Sequence, residues 1–176
     1  MDRGPDVRPG ARPADERPSD VRLARRRRFE RLAVHQAGVV SREQLRAAGL
    51  THHELDANVA ARRWQAVGRE SICIHTGPLP VLAVHWAAVF EGGRRAFLDG
   101  ESSLLVAGLE HYRPRAIRVS VPRGARIRTL PDLGMPVDIR QTRRWSPDDL
   151  VDRGGVPRTR QPVAAVRGGL WAQSDK

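Results

Sequence analysis

The amino-acid sequence predicts an α+β fold, and three observations carry the prediction. Capping boxes lie on either side of Gly49, two β-prone runs flank Gly68-Arg69, and helical and strand-like apolar patterns alternate beyond Pro80. The first two describe an N-terminal winged helix-turn-helix, and the third a small mixed α/β domain behind it. On this reading residues 1–24 form a disordered Arg/Pro-rich tail, 25–76 the winged helix-turn-helix and 80–176 the small α/β domain.

The tail places Pro5, Pro9, Pro13 and Pro18 among Arg, Asp and Gly with almost no large apolar side chain. Such a segment buries too little surface to offset the entropy of ordering it. Arg25 to Arg28 then lead into a first helix. That run reads either as an arm along nucleic-acid phosphates or as a solubilising tail. Phe29, Leu32, Ala33 and Gln36-Ala37 fall at helical spacing, and Gly38 ends the helix. Phe29 and Leu32 are expected to pack on Leu45 and Leu55 in a three-helix core.

Ser41-Arg42-Glu43-Gln44 and Thr51-His52-His53-Glu54 are the two capping boxes. In each, a hydroxyl and a Glu or Gln three residues on satisfy the free amides of a helix start. Val40 with Leu45, and Leu50 with Leu55, supply the hydrophobic staples that fix the entry angles. Gly49 stands where the left-handed residue ending a helix belongs. A second helix presented after so short a turn is the element that such motifs place in a DNA major groove. Trp64 to Val67 and Ser71 to Ile74 then form a hairpin around Gly68-Arg69, in the position of a wing. Gly77-Pro78-Leu79-Pro80 marks a hinge or boundary.

Beyond it, Val81 to Phe90 is apolar on nearly all sides, through Leu82, Val84, Trp86, Val89 and Phe90, as a buried helix should be. Ala96-Phe97-Leu98 is a short strand and Ser102 to Leu109 another helix. Ile117 to Val121 alternates apolar with polar residues, the pattern of a strand with one wet face, and Pro136 to Arg140 is a similar strand. Arg123, Arg126 and Arg128 lie on the loop or hairpin between them. Pro162 opens a last helix through Val163, Val166 and Leu170 to Trp171. No capping glycine follows it, so this domain is expected to be incomplete at its C-terminal end.

Composition narrows the class of function. A net charge of +11 over 176 residues points to a polyanionic partner. Lys176 is the only lysine, however, and so strong an arginine bias also arises from base composition, so the placement of charge matters more than its sum. Cys73 is the only cysteine, which excludes an internal disulfide and fits a reducing cytoplasm. The start carries no signal-peptide pattern, and no run approaches a membrane span.

In the second helix of the pair, Leu55 and Val59 face inward, which leaves His52, His53, Asp56, Ala57 and Asn58 outward. Asn pairs with adenine, Asp accepts from cytosine, and histidines in the first turn donate, so His52, His53, Asp56 and Asn58 are the candidate base readers. Arg42, Arg46, Arg62, Arg63 and Arg69, near the ends of the motif, are the candidate phosphate contacts. The competing reading is an exposed polar face with no partner, which Glu54 and Asp56 favour by repelling phosphates. Cys73 and His75 with His85 or His111 do not supply four ligands at zinc spacing, so no metal or other cofactor is expected. Asp132, Asp138, Asp148, Asp149 and Asp152 are not accompanied by the lysine that a restriction-type nuclease site commonly uses. No nucleophile elbow or phosphate-gripping glycine loop is present either, and the expectation is a non-enzyme.

The runs Ala37 to Leu45 and Gly49-Leu50-Thr51 resemble the N-terminal winged-helix domain of AbiEi-type antitoxins. Trp64 to Arg69 matches the place of that family's wing. Gly100-Glu101-Ser102-Ser103-Leu104 and Gly155-Val156-Pro157-Arg158-Thr159 are similar to its later helix and turn, although Arg69-Glu70-Ser71-Ile72 departs from its usual wing end. The resemblance implies sequence-specific binding to double-stranded DNA, autorepression of a type IV toxin–antitoxin promoter, and a nucleotidyltransferase-like toxin as partner. Similar domains also precede Vsr-like endonuclease domains, so the targeting half of a nuclease whose catalytic domain is missing is the first alternative. A protein-interaction module without DNA binding is the second.

Overall fold

The computed structural model describes residues 18–127, 130–143, 145–151 and 154–174. Among them are six α-helices and two three-stranded sheets, a mixed α+β arrangement. Helix α1 (Pro18–His35) starts ahead of the arginine run, so residues 18–24, expected to belong to a disordered tail, are helical. Proline is preset for a first helical position, Asp20 suits the first turn, and Arg, Leu and Ala are strong helix formers. Arg26 and Glu30, one turn apart, add an ion pair at 2.7 Å. The rest of the expected tail, 1–17, lies outside the described residues, as do Arg128 and Asp152.

Helix α1 stops where Ala37 and Gly38 both turn left-handed and the Gly38 amide donates back to the Ala33 carbonyl at 2.8 Å. Strand β1 (Val39–Ser41), which three residues are too few to announce, leads into α2 (Arg42–Ala47) and α3 (His52–Ala60). Both capping boxes form, Ser41 with Gln44 and Thr51 with Glu54. Between the helices Gly49 has φ +92°. Its amide donates to the Arg46 carbonyl and that of Leu50 to the Leu45 carbonyl, which closes the turn as a Schellman motif. Strands β2 (Gln65–Ala66) and β3 (Ser71–Cys73) form the expected hairpin, and β1 joins it so that β3 lies in the middle of an antiparallel sheet.

This sheet has no wet face at its centre. Successive strand residues point to opposite sides, and Val40 and Ile72 enter one core with Phe29, Ala33, Leu45 and Leu55. Val39 and Cys73 enter a second core with α4 (Val81–Gly92). The packing therefore continues across the Gly77–Pro80 segment expected to be a boundary. Trp64 closes the first core edge-on to Phe29, with centroids 5.4 Å apart. Leu32, expected beside Phe29, is exposed, and Ala33 takes its place.

The second sheet has the order β4-β5-β6, from β4 (Phe97–Leu98), β5 (Ile117–Pro122) and β6 (Val137–Thr142). Strands β4 and β5 are antiparallel, whereas β5 and β6 are parallel, so Arg123 and Arg126 sit on a crossover connection and not on a hairpin. Helix α4 packs on β5, and α5 (Gly100–Val106) packs on β5 and on α6 (Gln161–Ser174). The expectation of a wet face on β5 fails because α5 covers it: Ser120 is fully buried, and Arg118 is only 13% exposed, ion-paired to Glu101 at 2.8 Å and to Asp138. Helix α4 is buried through Ala83 and His85 to Val89, but its first turn emerges, leaving Val81 and Leu82 exposed. Val166 and Leu170 of α6 are exposed too, while Ala164 is fully buried.

Candidate nucleic-acid interface

Three elements meet at Arg42, the first residue of α2. Its amide donates to the Glu70 carbonyl and its Nε to the Arg69 carbonyl, both at 2.8 Å, which ties the helix to the turn of the hairpin. Its Nη1 lies 3.9 Å from the Asp56 carboxylate on α3. Arg42 was expected to contact phosphates, but most of its side chain is covered and its Nε is spent inside the protein. It acts here as the joint between helix pair and hairpin.

On α3 the outward set is divided. His52, His53 and Asp56 are exposed as expected. His52 Nδ1 lies 2.8 Å from Asp56 Oδ2 one turn on, which leaves Nε2 as the free ring nitrogen and orients the imidazole. Asn58, also expected to read bases, is half-buried and already engaged. Its Nδ2 donates to the Glu54 carbonyl at 2.8 Å, and its Oδ1 accepts from Arg63 Nε at 2.9 Å. An amide held on both sides has no bidentate edge to offer adenine, so Asn58 leaves the candidate set and becomes a brace at the end of α3.

The arginines differ in the same way. Arg63 keeps one donor on Asn58, and Arg46 Nε reaches the Arg42 carbonyl at 3.3 Å, but both side chains remain exposed. Arg62 is exposed just beyond α3, at φ +53°. Arg69, on the hairpin turn, is 76% exposed and 3.9 Å from Glu70. Arg46, Arg62, Arg63 and Arg69 thus remain exposed on the helix pair and the hairpin turn, as do His52, His53 and Asp56 on α3.

Two contributions escaped the sequence reading. Arg25, read only as part of a charged run, lies beside the turn of the helix pair: a methyl group on Gly49 would stand 3.2 Å from Arg25 Nε. Arg25 and Arg22 also attract Glu54. Its carboxyl is held below the ordinary range chiefly by the hydrogen bond from the Thr51 amide, then by the Thr51 hydroxyl. Glu91, at the end of α4, is buried and cradles the hairpin turn: Oε1 accepts from the amides of Glu70 (2.8 Å) and Ser71 (2.9 Å) and from Ser71 Oγ (2.6 Å), while Oε2 accepts from Arg69 N (3.1 Å). Its signal was legible as the only acid in an otherwise apolar helix.

The described acids among those weighed for a nuclease have partners within the chain: Asp132 accepts from the Gly134 amide at 2.8 Å. Asp138 pairs with Arg118 and Arg140, and Asp149 with Arg167, which also holds the fully buried Asp99 at 2.8 Å. Asp148 lies inside a single 3-10 turn (Pro147–Asp149), and its amide donates to the capping Ser146 Oγ at 3.2 Å. Cys73 is wholly buried, and burial pushes its thiol pKa up, as suits a packed and unreactive side chain. Among the described residues no helix is long and apolar enough to cross a membrane. Comparison of the chain with family models and with characterised proteins returned no match.

Proposed function

We propose that the protein binds double-stranded DNA through a winged helix-turn-helix and acts in the cytoplasm as an antitoxin-like transcriptional repressor, as a binder and not an enzyme. The observation that carries this reading is the joint at Arg42, which holds an exposed α3 and an arginine-bearing hairpin turn on one rigid frame. The order α1, β1, α2, α3, β2, β3 with β3 central is the arrangement such a domain requires, and it supports the reading. Arg46, Arg62, Arg63 and Arg69 supply phosphate contacts and affinity, and His52, His53 and Asp56 reach base edges. The resemblance to AbiEi-type antitoxins extends this to a toxin–antitoxin promoter as operator and a nucleotidyltransferase-like toxin as partner.

The test is a salt-dependent gel-shift titration after selection of a preferred duplex from a random library. Arg62→Ala is expected to weaken binding to every duplex alike and to lower the salt slope by about one. His53→Ala is expected to relax the preferred sequence and leave that slope alone. Binding that ignores salt, or that survives both changes, overturns the proposal and favours a protein-interaction module.

A further inference from the structure

A cavity of about 670 Å³ opens beside α4, between its first two turns, the end of α5 and the segments around Tyr112 and Leu133. Leu82, Val84, Leu105, Val106, Leu133 and Met135 supply most of its wall. His85 and Tyr112 are the two polar side chains on it, and no charged residue lines it among the described residues. The size is that of a small-molecule site, as is the pairing of an apolar wall with very few polar groups.

His85 separates this cavity from an ordinary surface dimple. It is only 5% exposed, and its imidazole makes no hydrogen bond among the described residues. Burial lowers its pKa, so the ring there is neutral, with one N–H to donate and one nitrogen to accept. A ligand that covers the ring must supply the hydrogen bond that water would otherwise make there, or leave a polar group buried without a partner. At the mouth, by contrast, Val81 is 72% and Tyr112 47% exposed. Apolar contact is thus available along the whole depth, with His85 the one polar group at the buried end and the Tyr112 hydroxyl at the mouth.

We propose that this cavity binds a small uncharged molecule, mostly apolar, carrying one hydrogen-bonding group that meets His85. A charged ligand is disfavoured because nothing on the wall compensates its desolvation. The site is separate from the Arg42 frame, and the inference does not rest on DNA binding.

N-phenyl-1-naphthylamine, neutral and aromatic with a single N–H, is a suitable probe for a fluorescence titration of the full chain. One probe is expected to bind per chain, with its sulfonated analogue, anilinonaphthalene sulfonate, at least about tenfold weaker. His85→Leu keeps the wall apolar and is expected to weaken the probe by about fivefold. Val106→Trp fills the cavity and is expected to abolish binding. Val81→Arg, at the exposed mouth, is expected to weaken binding without moving the unfolding midpoint, which separates loss of the site from loss of the fold. Equal affinity for the sulfonate overturns the proposal, as does unchanged binding in both His85→Leu and Val81→Arg. A dimer seen by sedimentation that shuts the probe out also overturns it, since the face is then an interface between copies.

Discussion

Glu91 and Ser71 are joined twice: one carboxylate oxygen at the end of α4 accepts from both the amide (2.9 Å) and the hydroxyl (2.6 Å) of a residue at the start of β3. The same carboxylate takes the amides of Arg69 and Glu70, so the turn of the hairpin is moulded on a side chain from the far side of the sheet. Gly68 lets it approach, since a methyl group there would lie 2.3 Å from Glu91 Oε1. Glu91→Leu leaves those amides without an acceptor and is expected to cost about 1.5–3 kcal/mol in urea unfolding. Hydrogen exchange at residues 69–71 should speed up more than at α3.

The capping boxes carry independent weight. Ser41→Ala and Thr51→Ala each remove a hydroxyl that accepts from the third amide of its helix, at 3.0 and 3.2 Å. Each is expected to lower stability by about 1 kcal/mol, read from the denaturation midpoint.

Asn58→Ala separates bracing from reading. Since the amide bonds to the Glu54 carbonyl and to Arg63, its removal should destabilise by about 1 kcal/mol and leave the preferred duplex sequence unchanged. A shifted preference in the selection experiment would return Asn58 to the base-reading set.

Asp99 is wholly buried, with Arg167 at 2.8 Å, Ser120 Oγ at 2.7 Å and the Gly100 amide at 2.8 Å. Arg167→Met strands a buried carboxylate and is expected to cost about 3–5 kcal/mol in thermal or urea unfolding. Asp99→Asn in that background should recover part of the loss, because it removes the unpaired charge.

His85 makes stability depend on pH in a defined direction. Burial lowers its folded pKa below the ordinary 6.5. As pH falls through 6.5 the unfolded chain takes up a proton that the folded chain does not yet bind. The contribution is therefore complete above that value and is lost as pH falls through the folded pKa. His85→Leu should flatten the stability profile between about pH 7 and about pH 5, measured by urea titration at a series of pH values.

The helix pair was legible because its signals are local. A hydroxyl three residues before Gln44 or Glu54, and a glycine that must turn left-handed, act within one or two turns of chain, so Ser41, Thr51 and Gly49 appear where the pattern puts them. The hairpin was legible for the same reason. Residues 18–24 were misjudged because proline and charge suggest disorder, while helix propensity and the Arg26–Glu30 pair act in the other direction.

Taken alone, the amino-acid order determined where α2 and α3 start, that a hairpin follows them, and which side of α3 buries Leu55, because capping, turn geometry and helical periodicity depend on near neighbours. Only the tertiary structure decided which polar side chains remain free. Asn58 and Arg42 are consumed by internal bonds, Glu91 reaches across the sheet to shape the hairpin turn, and His85, at a cavity wall, makes no hydrogen bond among the described residues. Those outcomes depend on contacts between residues distant in the chain, where hydrogen-bond distance and burial are set by how the two cores close on their shared sheet.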